Sequence, residues 1–406
     1  MTEFTAHTVS PLVNGEARLT ITENALTVAT SFDAAEIPFA EIDSLVFADY
    51  VITLITGSGK YIFSKMGSWC QPFHDSLYQA YNRAVLRSLF VKGPPLISAK
   101  GEYRYTEAKG GATGSAPVYV FENSVVVLPP DLGARRVPLC FVSGIDKGDF
   151  EITLKTSGAS PEGICDTYTF AKLGYETDPF IISVEKQIRE LREKSLAAAK
   201  ELDSSLSASQ TAQIAKLMPE GAAASFGQIT EIAPSFAAAL ESKIAKTRSA
   251  ESYRAFRELT NPARIYIGFR KNEVNTESIA SPVPDADGNE AARIDPYLLW
   301  LIAPSPNGDF AAVEFAEAGA ATFIYKTNGD FDNFARQLNR ALEAINFRRE
   351  AIRLTDEELR KPENSDYYMA AKRTAALRFI RSSFASRIIH SSVDSWKRKL
   401  SDMWNG

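Results

Sequence analysis

The sequence carries one pattern twice, and no other feature constrains its fold as much. Glu23-Asn24-Ala25-Leu26-Thr27-Val28 returns as Glu122-Asn123-Ser124-Val125-Val126-Val127, and Ile37-Pro38-Phe39 returns as Val137-Pro138-Leu139. Asp49-Tyr50-Val51-Ile52-Thr53-Leu54 returns as Asp149-Phe150-Glu151-Ile152-Thr153-Leu154. Tyr61-Ile62-Phe63-Ser64-Lys65-Met66-Gly67 is echoed by Tyr168-Thr169-Phe170-Ala171-Lys172-Leu173-Gly174, and Pro72-Phe73 by Pro179-Phe180. The spacing is 99 residues at Glu23/Glu122, 100 at Asp49/Asp149 and 107 at Tyr61/Tyr168, so the copies differ mainly by extra residues around Ser157 to Cys165. A repeat of this length is a whole domain, far longer than the period of a solenoid. The shared residues are those of turns, strands and a helix start, so the repeat specifies a fold and names no reaction.

Within the first copy, Leu19 and Ile21, then Leu26 and Val28, alternate with polar residues on either side of Glu23-Asn24, which predicts a hairpin of two half-buried strands. Further strands are expected at 44–47, 50–55 and 60–64, with Thr56-Gly57-Ser58-Gly59 turning between the last two. After Gly67 the period lengthens. Phe73, Leu77, Ala80, Tyr81, Ala84 and Leu89 form a helical stripe, repeated by Phe180, Val184, Ile188 and Leu191. An antiparallel meander followed by one helix makes physical sense because a short curved sheet needs a cover for its open apolar end.

That order resembles pleckstrin-homology-like (PH-like) domains, over residues 1–92 and 97–196. The first copy is also remotely similar to the PH-like domains of the FACT histone-chaperone subunits, through Ala17-Arg18-Leu19, Ile37-Pro38-Phe39-Ala40-Glu41-Ile42 and Thr56-Gly57-Ser58-Gly59-Lys60-Tyr61. The resemblance implies an α+β chain of tandem PH-like barrels. Residues 197–258, rich in Ala, Ser, Glu and Lys and broken at Pro219 and Pro234, read as a helical insert or linker. In 259–350, strand-like runs lead through Thr322 to Gly329 into a helix carrying Phe331, Phe334, Leu338, Leu342 and Ile345, so a third PH-like unit or another α+β domain is expected there.

Composition narrows the function classes. A net charge of −5 and a pI near 5.5 argue against capture of nucleic acid by the whole surface. Cys70, Cys140 and Cys165 have neither paired nor metal-site spacing, and the sequence shows no leader-like start or apolar span, so a cytoplasmic protein without cofactor or metal is expected. His7, His74 and His390 are the only histidines, and any hydroxyl, imidazole and carboxylate triad would have to draw on one of them. Lys109-Gly110-Gly111-Ala112-Thr113-Gly114-Ser115 lacks the Lys and the following helix of a phosphate cradle and reads as a loose hairpin tip. With Lys100 and Arg104 nearby, Lys109 is a candidate for anionic head groups. Lys65 and Lys172 hold the same slot in both copies and are candidates for an anionic ligand, or plain covers of apolar surface.

The C-terminal stretch 367–406 departs most from the average. It holds eight basic residues, Lys372, Arg373, Arg378, Arg381, Arg387, Lys397, Arg398 and Lys399, against Asp394 and Asp402, a local charge of +6. Leu377, Ile380, Phe384, Ile388, Val393, Trp396, Leu400 and Trp404 give helical spacing, so 351–406 is expected to be a basic amphipathic helical tail. Arg378, Arg381, Arg387, Lys397, Arg398 and Lys399 are its candidate binding residues.

The reading that unites these signals is a non-enzymatic scaffold whose tandem modules bind a protein partner, with no nucleic acid expected and pairing of protomers left open. Two alternatives stand beside it. One is attachment of the basic tail to an anionic membrane surface. The other is an enzyme with its site in 260–345, where Asp285, Asp287 and Glu290 sit in one long loop.

Overall fold

The computed structural model describes residues 3–107, 110–157, 165–271, 297–316, 321–390 and 392–405. The first copy forms β1 (Glu3–Val9), β2 (Gly15–Ile21), β3 (Ala25–Ala29), β4 (Ala34–Pro38), β5 (Ile42–Ala48), β6 (Val51–Thr56) and β7 (Gly59–Ser64), then α1 (Cys70–Ser88). The second forms β8 (Ile97–Glu107), β9 (Gly110–Val120), β10 (Ser124–Val127), β11 (Arg135–Pro138), β12 (Val142–Lys147), β13 (Glu151–Thr156) and β14 (Asp166–Ala171), then α2 (Thr177–Leu202). The strand orders, β4-β3-β2-β1-β7-β6-β5 and β11-β10-β9-β8-β14-β13-β12, are the same antiparallel order twice, each followed by its helix. This is an α+β architecture of tandem PH-like domains.

The duplication extends to small irregularities. The Phe39 N–H donates to the Asn24 carbonyl at 2.8 Å, as Leu139 N–H does to Asn123 at 3.0 Å, so the Glu-Asn turn is tied to the strand end in both copies. A bulge after Ile42 in the β5–β6 pair recurs after Val142 in β12–β13. Bulges bend a strand and increase its twist, which helps a small sheet to curl on itself.

The Gly-rich run is a correction. Residues 110–115 are not a loose tip but the start of β9, in register with β8 from Glu107↔Gly110 to Glu102↔Ser115. Gly111 has the physical reason: a Cβ there would sit 2.4 Å from the Tyr105 carbonyl oxygen, so only glycine permits the close cross-strand approach. Lys109 lies outside the described residues.

The chain divides into two compact units, residues 1–187 with 340–381 and residues 188–339 with 382–406. In the first unit the apolar cluster built around the first barrel also takes in residues of the second. Val125 and Val127 of β10 face Val120 and Val118 of β9. Val126, by strand alternation, points the other way and joins Phe121, Leu128 and Ala134 in the apolar cluster built around the first barrel. A strand buried on both faces explains the unbroken run of valines. The same unit includes α8 (Glu350–Arg353), α9 (Asp356–Leu359) and α10 (Ser365–Arg373). α10 packs Met369 into that cluster, and the buried Arg373 guanidinium donates to the Tyr81 hydroxyl at 2.7 Å.

The second unit holds α3 (Ala208–Leu217), α4 (Phe226–Ile232), α5 (Pro234–Ile244) and α6 (Ala250–Leu259), with β15 (Ala224–Ser225) between α3 and α4. Then follow β16 (Tyr266–Lys271), β17 (Tyr297–Pro304), β18 (Phe310–Phe315), β19 (Ala321–Lys326) and α7 (Phe331–Ala344). Its described sheet runs β15-β16-β17-β18-β19-β20, where β20 is Phe384–Ile389. This meander draws its two edges from distant parts of the chain and differs from the seven-strand order of the barrels. The stretch 197–258 is no separate spacer, since Ile214, Ile229, Phe236, Leu240, Ile244 and Phe256 share one apolar core with the sheet.

The C-terminal expectation also needs revision. Helices α11 (Ala375–Ser383) and α12 (Val393–Asn405) are present, but β20 lies between them and pairs with β19. Phe384 and Ile388, placed on a helical stripe by their spacing, belong to this strand. Tertiary pairing overrides a helical period where a sheet edge is available to a β-branched run such as Ile388-Ile389.

Candidate functional site

The repeated lysines are explained by the backbone. Lys65 and Lys172 sit at φ 56° and 55°, and Gly67 and Gly174, two residues on, at 57° and 64°. Both turns therefore need left-handed residues to redirect the chain into the helix. The Lys65 side chain is exposed, and Lys172 Nζ pairs with Glu102 at 2.7 Å on the open surface. Nothing converges on either ammonium to form a ligand pocket among the described residues.

The basic C-terminal residues scatter. Arg381 donates to the Ala351 and Leu354 carbonyls at 2.8 and 2.7 Å and to Asp356 at 2.6 Å, so it fastens the end of α8. Arg378 donates to the Lys372 carbonyl, and burial followed by the neighbouring Arg135 charge lowers its pKa. Lys397 pairs with Glu258; Arg387, Arg398 and Lys399 are exposed. Leu377 and Ile380 are fully buried, and Ile388, Trp396, Leu400 and Trp404 are packed into the second unit's core, with Phe256 against both tryptophan rings at 5.6 and 6.3 Å. Most of the apolar stripe is thus taken into the protein's own interior, while Phe384, Ile389 and Val393 stay exposed. No helix of the described residues is long and apolar enough to cross a membrane.

One constellation escaped sequence reasoning. Glu314, wholly buried on β18, accepts the Thr322 hydroxyl at 2.9 Å; that hydroxyl oxygen lies 2.9 Å from His390 Nε2 and accepts the Trp396 indole N–H at 2.9 Å. Thr322 is itself fully buried and its oxygen is saturated by these partners, so the group ties β18, β19, the end of β20 and α12 together. The signal was available: Glu314 falls within the apolar run Ala312-Val313-Glu314-Phe315. Asp285, Asp287 and Glu290 lie outside the described residues, and no cluster of metal-ligating side chains occurs among the described ones.

The site with the best-defined geometry is a sheet edge. In the first barrel the open side of β5 is taken by the loop between β10 and β11. The Leu45 N–H donates to the Pro130 carbonyl at 2.7 Å, Ser44 forms an antiparallel bridge with Asp131, and the Tyr78 hydroxyl of α1 donates to the Leu128 carbonyl at 2.9 Å. An extended Leu-Pro-Pro-Asp segment thus lies along the strand beside the helix, next to the stacked rings of Phe47, His74 and Tyr78. The second barrel repeats the edge. A shift of 100 residues carries Leu45 to Ile145 on β12, which pairs with Leu154 just as Leu45 pairs with Leu54, so its N–H points away from β13. A shift of 107 carries His74 and Tyr78 to Ile181 and Glu185 on α2. Where the first copy has an aromatic stack, the second has an ion pair, Lys147 to Glu185 at 2.7 Å, with Ile182 exposed on the same helix.

No family model matches the chain, and no curated protein matches it. Among solved structures it is similar to one titled "Structure of the Spt16D Pob3N heterodimer", with 11% identity over 41% of this chain and 94% of that one and a TM-score of 0.16. A score that low gives the likeness no weight, and the fold class rests on the strand order and its repetition.

Proposed function

We propose that this protein is a non-enzymatic binding protein whose second PH-like barrel receives an extended segment of a partner protein along β12, in the groove beside α2. The observation that carries this reading is internal. The equivalent edge of the first barrel already holds such a segment, through the hydrogen bond from Leu45 to Pro130. Main-chain pairing supplies affinity in this mode, and side-chain pockets supply selectivity. The ion pair of Lys147 and Glu185 in place of aromatic rings favours a more polar segment than the one bound intramolecularly.

The test uses the full chain and an acetylated peptide copying residues 127–133, then a display library of extended peptides. Binding should protect the β12 amides from hydrogen exchange. Ile145→Pro removes the outward donor while sparing the ladder to β13, and should weaken any such peptide at least tenfold, a loss of about 1.4 kcal/mol. Peptides that bind with unchanged affinity to a folded Ile145→Pro variant, or that protect a different strand, would sink the reading.

A further inference from the structure

The second unit contains a cavity of about 410 Å³ between the C-terminal half of α2, α3, the turn at Pro219–Gly221 and β16. Its floor is apolar and buried, formed by Ala199, Ile214, Ala215, Met218 and Phe269. The floor is held in place by a close approach: Gly221, at φ 80°, packs so tightly on β16 that a Cβ would stand 1.8 Å from the Phe269 carbonyl oxygen. The adjoining Glu220 is a non-glycine residue at φ 51°, with its N–H donating to the Ser195 hydroxyl at 3.2 Å. Left-handed backbone at a side-chain-bearing residue costs free energy and persists where the surroundings fix it.

The lining charges differ in exposure: Arg270 and Glu220 form a largely buried pair, whereas Lys271 and Glu201 lie on the open rim. Arg270 lies 3.5 Å from Glu220, and Lys271 lies 2.8 Å from Glu201, whose carboxyl is held below its ordinary range by hydrogen bonds from Lys271 and then Tyr297. Lys194 is exposed and has no carboxylate partner among the described residues. Three cations against two carboxylates leave the mouth with a net charge of +1. The void is several side chains in size and falls at the lower end of the roughly 300–1,000 Å³ range of small-molecule sites.

We infer that this cavity binds a small anionic amphiphile, with an unbranched or aromatic apolar body on the floor between α2 and α3 and a single carboxylate or equivalent anion at Lys194. The inference is independent of the β12 groove, which lies in the other unit, so failure of either leaves the other standing. Charge complementarity selects the anion, and because the largely buried Arg270 is already paired with Glu220, the head is kept at the rim beside Lys194.

The probe is decanoate, titrated below its micelle concentration against the full chain and followed by calorimetry and by the methyl resonances of Met218 and Ile214. Decanol serves as the neutral comparison. Saturable sub-millimolar binding that shifts both methyls is expected, with decanol at least fivefold weaker. Ala198→Trp, which fills the wall, should cut decanoate affinity at least tenfold. Lys194→Glu, an exposed change that leaves folding intact, should reduce decanoate binding at least fivefold and leave decanol unchanged. Decanoate binding that is insensitive to Lys194→Glu, equal affinity for the two probes, or no saturation overturns the inference.

Discussion

At the scale of single residues, charge in this protein is mostly a matter of anchoring. Arg136 donates to both carboxylate oxygens of Glu343 at 2.6 and 2.8 Å and to its carbonyl at 3.1 Å, and the two side chains are only 3% and 6% exposed. Removing one partner of such a pair strands a buried charge. Arg136→Ala should therefore cost about 3–5 kcal/mol, whereas the apolar pair Arg136→Met with Glu343→Leu should recover most of that loss. Urea unfolding of the single and double variants measures both, and a double variant as unstable as the single would refute the account. Lys65 and Lys172 teach the complementary lesson. Their recurrence was legible in the sequence, but its cause is the left-handed backbone of the turn, which side-chain identity alone does not reveal.

At the scale of elements, β8 and β14 bring three phenols together. Tyr103 stacks on Tyr105 at 6.0 Å, and Tyr105 lies 6.1 Å from Tyr168, whose hydroxyl donates to Glu107 at 3.0 Å. Burial, and then the Asp131 charge, push Tyr103 up to about 12; burial raises Tyr105 and Tyr168 as well, and Glu107 adds to the rise at Tyr168. The folded state thus holds these phenols protonated when the unfolded chain would release them. Their contribution to stability is full below the free phenol pKa of about 10 and is lost as pH rises from there through the folded values. Alkaline titration followed by phenolate absorbance and circular dichroism should show unfolding that begins above pH ~10, and Tyr168→Phe should lessen the pH dependence of stability there. A stability curve flat from pH 9 to about 12 would contradict the assignment. The sheets themselves were readable because their two-residue period and turn residues survive in both copies. β20 was not, because its sequence gives helical spacing and only the open edge of β19 makes it a strand.

At the scale of the whole molecule, chain order and spatial order part company. The second unit is completed by residues 382–406, which supply an edge strand and the Trp396, Leu400 and Trp404 face of its core. Ending the chain after Arg381 should expose that core. The slow-exchanging amides of β19 and α6 should become fast, and limited proteolysis should cut within 188–339. Retention of native exchange rates after this truncation would show that the C-terminal segment is an appendage after all.

The sequence by itself determined the duplication, its central hairpins and its closing helix, because period and turn chemistry are local properties that any copy of the pattern must obey. Only the tertiary structure decided that the basic tail is built into two cores, that Glu314, Thr322, His390 and Trp396 meet, and that the β5 edge is filled while no strand pairs with the outer edge of β12 among the described residues. Those outcomes depend on which surfaces remain unpaired once the local elements exist, and burial free energy is settled between segments far apart in the chain.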